Sequence, residues 1–209
     1  MTITLQIDGK EVKAESGMTV LEAARQAGVY IPTLCDHDKL KPYGVCRICC
    51  VEVEKKGRKR VVVSCGYPVE NGLVVTTRSP RIDRIRKVII ELVAPTAMAD
   101  GLLAGEMKKI GNEYGADIHR FESRFTGKSI RCILCGKCVR YCDEIVGKQA
   151  IGFVGRGIER RAVFFPEQAR ACLTCEACFN LCPTGKIAAD TDFVVFDGFS
   201  VDDHLAGDR

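Results

Sequence analysis

An α+β architecture in three parts is predicted from this sequence: a small β-sheet covered by one helix, a helical linker, and a module organised by cysteines. Three observations predict it. Short N-terminal segments alternate apolar and polar residues and are interrupted by a single stretch at helical spacing. The middle carries apolar residues at helical spacing and no cysteine. The 13 cysteines fall into two blocks, Cys35–Cys65 and Cys132–Cys182, with 66 cysteine-free residues between them.

Composition bounds the function classes. Hydrophobic residues are 46% and charged residues 28% of the 209, enough to bury a core and incompatible with wholesale disorder. The longest apolar candidate, Val88–Leu103, is interrupted by Glu91 and Asp100, so no membrane span is expected. No export-signal pattern opens the sequence. An odd number of cysteines grouped as C-x-x-C argues for metal ligation in a reducing compartment rather than a disulfide scaffold, and places the expected location in the cytoplasm.

The elements follow in order. Thr2–Ile7 and Glu11–Glu15 flank Asp8-Gly9-Lys10, a β-hairpin signal. Val20, Leu21, Ala24 and Ala27 recur at helical spacing, with Gly28 where a helix C-terminus favours it. Cys50–Glu54 and Arg60–Ser64 read as strands around a Lys55-Lys56-Gly57 turn, and Leu73–Thr77 as a last strand. This is the β-grasp pattern, over residues 1–78. In the linker, 79–126, Ser79 caps a helix with Pro80 at its first position. Its apolar face is Ile82, Ile85, Ile89 and Leu92, and Pro95 is expected to end it. A second helix spans about Leu102–Tyr114. The last module, 127–190, holds the cysteine repeats and a β-like insert, Ala150–Phe165, with Gly152, Gly155 and Gly157 at turns or close approaches. The tail, 191–209, has no strong pattern.

The cysteine spacing carries the chemistry. Cys132-x2-Cys135-x2-Cys138-x3-Cys142 and Cys172-x2-Cys175-x2-Cys178-x3-Cys182-Pro183 are two iron–sulfur runs. Three cysteines at x2 spacing wrap a tight loop onto three corners of a cubane; the fourth lies too far round the next turn and serves the other cluster. Cys132, Cys135, Cys138 and Cys182 are thus expected to hold one [4Fe–4S] cluster, and Cys172, Cys175, Cys178 and Cys142 the second, in a 2[4Fe–4S] ferredoxin-like domain. A zinc ribbon is the bland alternative, and the triple x2 spacing with Cys182-Pro183 fits it poorly. Cys35-x10-Cys46-x2-Cys49-x15-Cys65 reads as the ligand set of a [2Fe–2S] cluster in a β-grasp ferredoxin domain. Cys50 follows Cys49 on a strand, points to the opposite face and belongs to the core.

Ile31-Pro32-Thr33-Leu34-Cys35 and Gly44-Val45-Cys46-Arg47-Ile48-Cys49-Cys50-Val51-Glu52-Val53 resemble the N-terminal segment of the large iron–sulfur subunit of respiratory complex I. Arg131–Glu144 and the Cys172–Gly185 run resemble its next segments. The same unit occurs in the diaphorase-linked iron–sulfur subunits of NAD(P)-dependent hydrogenases and formate dehydrogenases. The resemblance implies a non-catalytic electron-transfer subunit that wires a flavin- and NAD(P)-binding diaphorase subunit to a hydrogenase catalytic subunit. In an electron-bifurcating complex, ferredoxin would be a further partner. The alternatives are the same role beside a formate dehydrogenase catalytic subunit, or a free-standing ferredoxin-type shuttle. The family usually carries a further cluster in the middle, and its four ligand positions fall here on Leu92, Thr96, Ala99 and Gly105. None can bind iron, so one [2Fe–2S] and two [4Fe–4S] clusters are expected.

The remaining signals are weaker. His37, two residues after a ligand, reads as a surface loop histidine rather than a cluster contact, and neither it nor His119 has a readable catalytic partner. Gly152–Gly157 has the wrong spacing for a dinucleotide fingerprint. Lys55–Arg60 reads as a solvated hairpin, with a docking patch for an acidic partner as the alternative. Each oxidised cluster with its thiolates carries about −2, so three clusters turn the formal +4 into roughly −2. Basicity is therefore no sign of nucleic acid.

Overall fold

The computed structural model describes residues 1–97, 103–124, 132–169 and 171–187. Strands β1 (Thr2–Ile7) and β2 (Lys10–Glu15) form an antiparallel hairpin with Ile7 opposite Lys10. Its two-residue turn places Asp8 and Gly9 at φ 50° and 79°, the mirror-image turn that suits the right-handed twist of paired strands. Alternation buries Leu5 and Ile7 on β1 and Val12 and Ala14 on β2. Helix α1 (Val20–Gln26) begins with a capping box: Thr19 Oγ1 accepts the Glu22 N–H (3.2 Å) and the Glu22 carboxylate accepts the Thr19 N–H (2.6 Å).

Strands β3 (Cys50–Lys55) and β4 (Arg58–Val63) pair antiparallel, and β5 (Val74–Thr76) completes a mixed sheet of order β2-β1-β5-β3-β4. β5 runs parallel to β1 and antiparallel to β3. Val20, Leu21, Ala23 and Ala24 of α1 pack with Leu5, Ile7, Val51, Val53 and Val75 in one core. The β-grasp arrangement follows: a helix with one apolar face closes one side of the sheet. Leu21→Ala is expected to cost about 2–5 kcal/mol, read as a lowered denaturant midpoint with unchanged slope, because Leu21 is only 1% exposed.

Helix α2 (Pro80–Ala97) starts as its sequence suggests, with Ser79 Oγ accepting the Ile82 N–H at 3.2 Å. Two expectations fail. Pro95 lies inside the helix, which continues to Ala97; Ala94 and Ala97 are both fully buried, and that packing holds the last turn against the proline's preference. The buried face is Ile82, Arg86, Ile90 and Ala94, whereas Leu92 is 51% exposed. The helix is turned so that an arginine, not Ile85 or Ile89, faces inward. Glu91 is also buried, its carboxylate accepting the Asp117 N–H (3.3 Å) and Arg120 Nη1 (2.6 Å). Helix α3 spans Leu103–Tyr114.

The cysteine-rich part contains α4 (Lys137–Tyr141), continued by a wider π-helical turn over Cys142–Val146. Strands β6 (Ile151–Val154) and β7 (Arg161–Phe164) then form a hairpin, followed by the short helices α5 (Pro166–Ala169) and α6 (Cys172–Cys175). A Cβ on Gly152 would lie 2.5 Å from the Phe165 ring, and one on Gly155 2.4 Å from the Glu159 carbonyl oxygen. Both glycines are close-approach positions, as the sequence suggested.

The chain groups into two compact units. Residues 1–36, 41–93 and 108–121 form the first, so most of the helical middle belongs with the sheet. The second comprises 37–40, 94–107 and the chain from 122 onward. Among the described residues, no helix is long and apolar enough to cross a membrane. The tail 191–209, Ala99 and His204 lie outside the described residues.

Candidate metal centres

In the first unit, Cys35, Cys46 and Cys49 come from the long loop before β3, and Cys65 from a tight turn, Ser64–Gly66, after β4. The loop turns through left-handed backbone at Gly44 and Arg47, with φ 66° and 61°; Cys49 is buried and Cys46 half-buried. Ser64 binds the Cys49 carbonyl through both its N–H (3.1 Å) and its hydroxyl (2.8 Å), joining the turn to the loop. The four sulfurs pair off. The Cys35 thiol donates to Cys46 at 3.2 Å, and the Cys65 thiol to Cys49. The sharing raises Cys35 and Cys65 well above the ordinary thiol value and lowers Cys46 and Cys49 below it. Four soft thiol donors stand as two hydrogen-bonded pairs, which is the donor chemistry a [2Fe–2S] cluster requires.

The second unit forms two cavities. One is lined by Cys132, Cys135, Cys138 and Cys182; the other by Cys142, Cys172, Cys175 and Cys178. Each cavity therefore takes three thiols from one run and the fourth from the other. The loops reach this shape through left-handed residues after the second cysteine of each run, Gly136 (φ 74°) and Glu176 (φ 45°). Leu134 (φ 52°) adds another in the first run, and its N–H donates to Cys132 Sγ at 3.3 Å. The Ala150 N–H donates to Cys142 Sγ at 3.2 Å, and the Thr184 hydroxyl lies 3.5 Å from Cys182 Sγ. Among the described residues, no group of three or more His, Cys, Asp or Glu gathers round a single point as one metal ion would need. The chemistry of the two four-thiol donor sets fits iron–sulfur clusters.

Burial pushes these thiols up: Cys135 to about 11 and Cys178 to about 12, with Cys132, Cys138 and Cys172 moving the same way. Ligation needs thiolates, so cluster insertion must displace these protons and is favoured by rising pH. Without iron, the sign for the fold is opposite. Unfolded thiols ionise near 9.0 and folded ones only towards about 11 to 12, so stability is full below 9 and is lost as pH rises through that window. Anaerobic reconstitution is expected to load more iron per chain at about pH 8.5 than at about pH 6.5, as iron and sulfide analysis would show.

The other singled-out residues fall outside these sets. Cys50 is buried beside Arg86, apart from the four-sulfur group, and burial raises its thiol. His37 Nδ1 accepts the Lys39 N–H, and its ring meets the Tyr141 ring edge-on at 5.8 Å. In the basic hairpin, Lys55 pairs with Glu70, Lys59 with Glu54 (3.4 Å), and Arg60 donates to the Tyr67 hydroxyl (2.8 Å). The residue that sequence reading missed is Arg86, 1% exposed, which donates to the carbonyls of Ile48 and Cys50 on either side of Cys49. Its only signal was an arginine four residues after Ile82 on a helix, indistinguishable from a solvated position.

Comparison with known proteins agrees with this geometry. Residues 1–80 match the family described as a 2Fe-2S iron–sulfur cluster binding domain. Residues 125–188 match the ferredoxin-like domain of NADH-quinone oxidoreductase subunit 3. The chain is 38% identical over 202 residues to the NADPH-Fe(3+) oxidoreductase subunit alpha of Geobacter sulfurreducens, covering 88% of this chain and 24% of that protein. It is 32% identical over 206 residues to the mitochondrial NADH-ubiquinone oxidoreductase 78 kDa subunit of Neurospora crassa (90% and 27%). To the corresponding 78 kDa subunit of Candida albicans it is 31% identical (90% and 28%). The chain thus spans about a quarter of the length of these curated relatives. A crystal structure of NAD+-reducing [NiFe]-hydrogenase in the H2-reduced state contains a similar chain: TM-score 0.67, 30% identity, 78% of this chain and 74% of that one. A β-grasp domain, a ferredoxin-like domain and these relatives together show that the chain belongs to the family of electron-transfer iron–sulfur subunits built like the N-terminal part of the complex I large iron–sulfur subunit.

Proposed function

We propose that the chain carries one [2Fe–2S] and two [4Fe–4S] clusters and wires a flavin- and NAD(P)(H)-handling diaphorase subunit to a hydrogenase catalytic subunit. The observations that carry the cluster count are, in the second unit, the pair of four-thiol cavities that exchange their fourth cysteine and, in the first unit, a four-sulfur group on the loop before β3 and the turn after β4. Cys35, Cys46, Cys49 and Cys65 would hold the two-iron cluster. Cys132, Cys135, Cys138 and Cys182 would hold one four-iron cluster, and Cys142, Cys172, Cys175 and Cys178 the other. When bound, such clusters supply one-electron acceptance and donation at potentials set by charge, hydrogen bonding and exposure. The chain's own residues fix those settings: the N–H groups of Leu134 and Ala150 on the sulfurs of Cys132 and Cys142, and the shared location of both cavities in one small module. The exchange of fourth cysteines keeps the two four-iron sites adjacent.

The domain reading is 1–78 for the [2Fe–2S] domain, 79–126 for a linker without its cluster, and 127–190 for the 2[4Fe–4S] domain. Leu92 is exposed on α2, Thr96 lies in the last turn of that helix and Gly105 on α3. None offers a thiol or imidazole.

The hydrogenase assignment is supported by the likeness to a chain of NAD+-reducing [NiFe]-hydrogenase. A second reading, a subunit of an NADPH-Fe(3+) oxidoreductase, is favoured by the 38% identity to the Geobacter subunit. Anaerobic affinity purification from the native cell, with co-purifying subunits identified by mass spectrometry, separates the outcomes. A flavin subunit with a nickel–iron or iron–iron hydrogenase is the expected result. A molybdenum or tungsten protein in that place would mean formate dehydrogenase, and recovery of the chain alone would mean a shuttle. Ferredoxin reduction by the purified complex would place the chain in a bifurcating system; its absence would remove that extension.

A further inference from the structure

We infer that Arg86 is the internal counter-charge of the [2Fe–2S] site, a positioning residue that both grips the ligand loop and raises the reduction potential of the cluster held there. The inference rests on the proposal that Cys35, Cys46, Cys49 and Cys65 hold that cluster. Arg86 projects from the middle of α2 and is 1% exposed. Its Nε donates to the Ile48 carbonyl (3.1 Å), Nη2 to the Cys50 carbonyl (2.8 Å) and Nη1 to the Tyr114 hydroxyl (2.8 Å). The two carbonyls bracket Cys49, so the planar fork holds the peptide unit that leads into a ligand and the one that starts a residue beyond it.

Among the described residues, its charge has no carboxylate partner. The ion pairs of the first unit engage Arg25, Lys55, Lys59, Arg78, Arg81 and Arg120, whereas Arg86 meets two carbonyls, the Tyr114 hydroxyl and the Cys50 thiol, which burial raises and so keeps protonated. A buried guanidinium without a carboxylate is costly, and a helix interior offers no reason for it unless negative charge lies nearby. Four thiolates and a two-iron core supply about −2 in the oxidised state and one further charge on reduction. Asp36, the acidic residue next to Cys35, is meanwhile neutralised by Arg25 at 2.7 Å. A fixed positive charge favours the more negative, reduced state, and a guanidinium keeps that charge at every working pH.

The test uses the full, iron-loaded chain in anaerobic redox titrations followed by electron paramagnetic resonance, with the [4Fe–4S] signals as internal reference. Arg86→Gln is expected to shift the [2Fe–2S] reduction equilibrium about tenfold or more against reduction, about 59 mV more negative for one electron. Tyr114→Glu keeps the arginine and its loop contacts but sets a carboxylate against it, and is expected to shift the equilibrium in the same direction. Arg86→Lys, which keeps the charge and loses the fork, is expected to stay much closer to wild type than Arg86→Gln. The [4Fe–4S] potentials are expected to be unchanged throughout. An unmoved [2Fe–2S] potential in whichever of Arg86→Gln and Tyr114→Glu retains the signal would overturn the inference. So would equal shifts in the Lys and Gln variants, or loss of the signal in both Arg86→Gln and Tyr114→Glu with the [4Fe–4S] signals kept, since each assigns Arg86 a purely structural role. A wild-type chain with no [2Fe–2S] signal would instead refute the cluster reading beneath it.

Discussion

Cys182→Ser is expected to remove the [4Fe–4S] cluster associated with the Cys132 run and leave the cluster of its own run in place, lowering iron from about ten to about six per chain. The reason is spatial. Cys182 lines the cavity of Cys132, Cys135 and Cys138, while Cys172, Cys175 and Cys178 share theirs with Cys142. A serine oxygen is a hard donor and a poor substitute for a thiolate on iron–sulfur centres. Cys142→Ser should produce the mirror result, loss of the cluster held by the Cys172 run. Iron and acid-labile sulfide analysis, with Mössbauer or paramagnetic resonance spectra of both variants, would distinguish them. Loss of the Cys172 cluster in Cys182→Ser would show that each run closes on its own cluster. About fourteen irons in the wild-type chain would show that the middle site is filled after all.

Removal of iron by an anaerobic chelator is expected to unlock the two units unequally. The core of the first unit contains Leu5, Ile7, Leu21, Val51, Val53, Leu73 and Val75, and only two of its sixteen described buried members are cysteines. In the second unit, Cys138, Cys142, Cys172, Cys178 and Cys182 make up five of the ten described buried members, beside Ile151, Phe164 and Ile187. A module whose described core is half cysteine has little apolar surface left to offset chain entropy once the metal goes. Hydrogen exchange with mass spectrometry should find amide protection in the sheet, β1 to β5, nearly unchanged. Across residues 132–187, exchange should be faster by about 10² to 10⁴. Equal loss in both units would mean that the β-grasp core depends on its metal as much as the ferredoxin-like part does.

The sequence and the structure divide the explanation unevenly. Hairpin turns were legible because a two-residue turn with positive φ favours Asp-Gly, found at Asp8-Gly9, and at least a glycine in second place, found at Gly57 after Lys56. The start of α2 was legible because Ser79 and Pro80 act within one turn of each other. Its end was not. Pro95 signals a stop locally, and burial of Ala94 and Ala97 overrides it.

What the sequence determined by itself is the chemistry and the family: the fold class and the iron–sulfur character. Cysteine spacing of two or three residues is a covalent, local constraint, and a short loop can satisfy it in few ways. What only the tertiary structure decided is which face of α2 turns inward and what charge it brings. Arg86 finds the carbonyls of Ile48 and Cys50 across 38 and 36 residues of chain and the hydroxyl of Tyr114 across 28. Glu91 likewise meets Arg120 across 29. Such pairs leave no periodicity in the sequence, because a polar side chain on a helix reads as solvated until distant backbone supplies the partners that let it be buried.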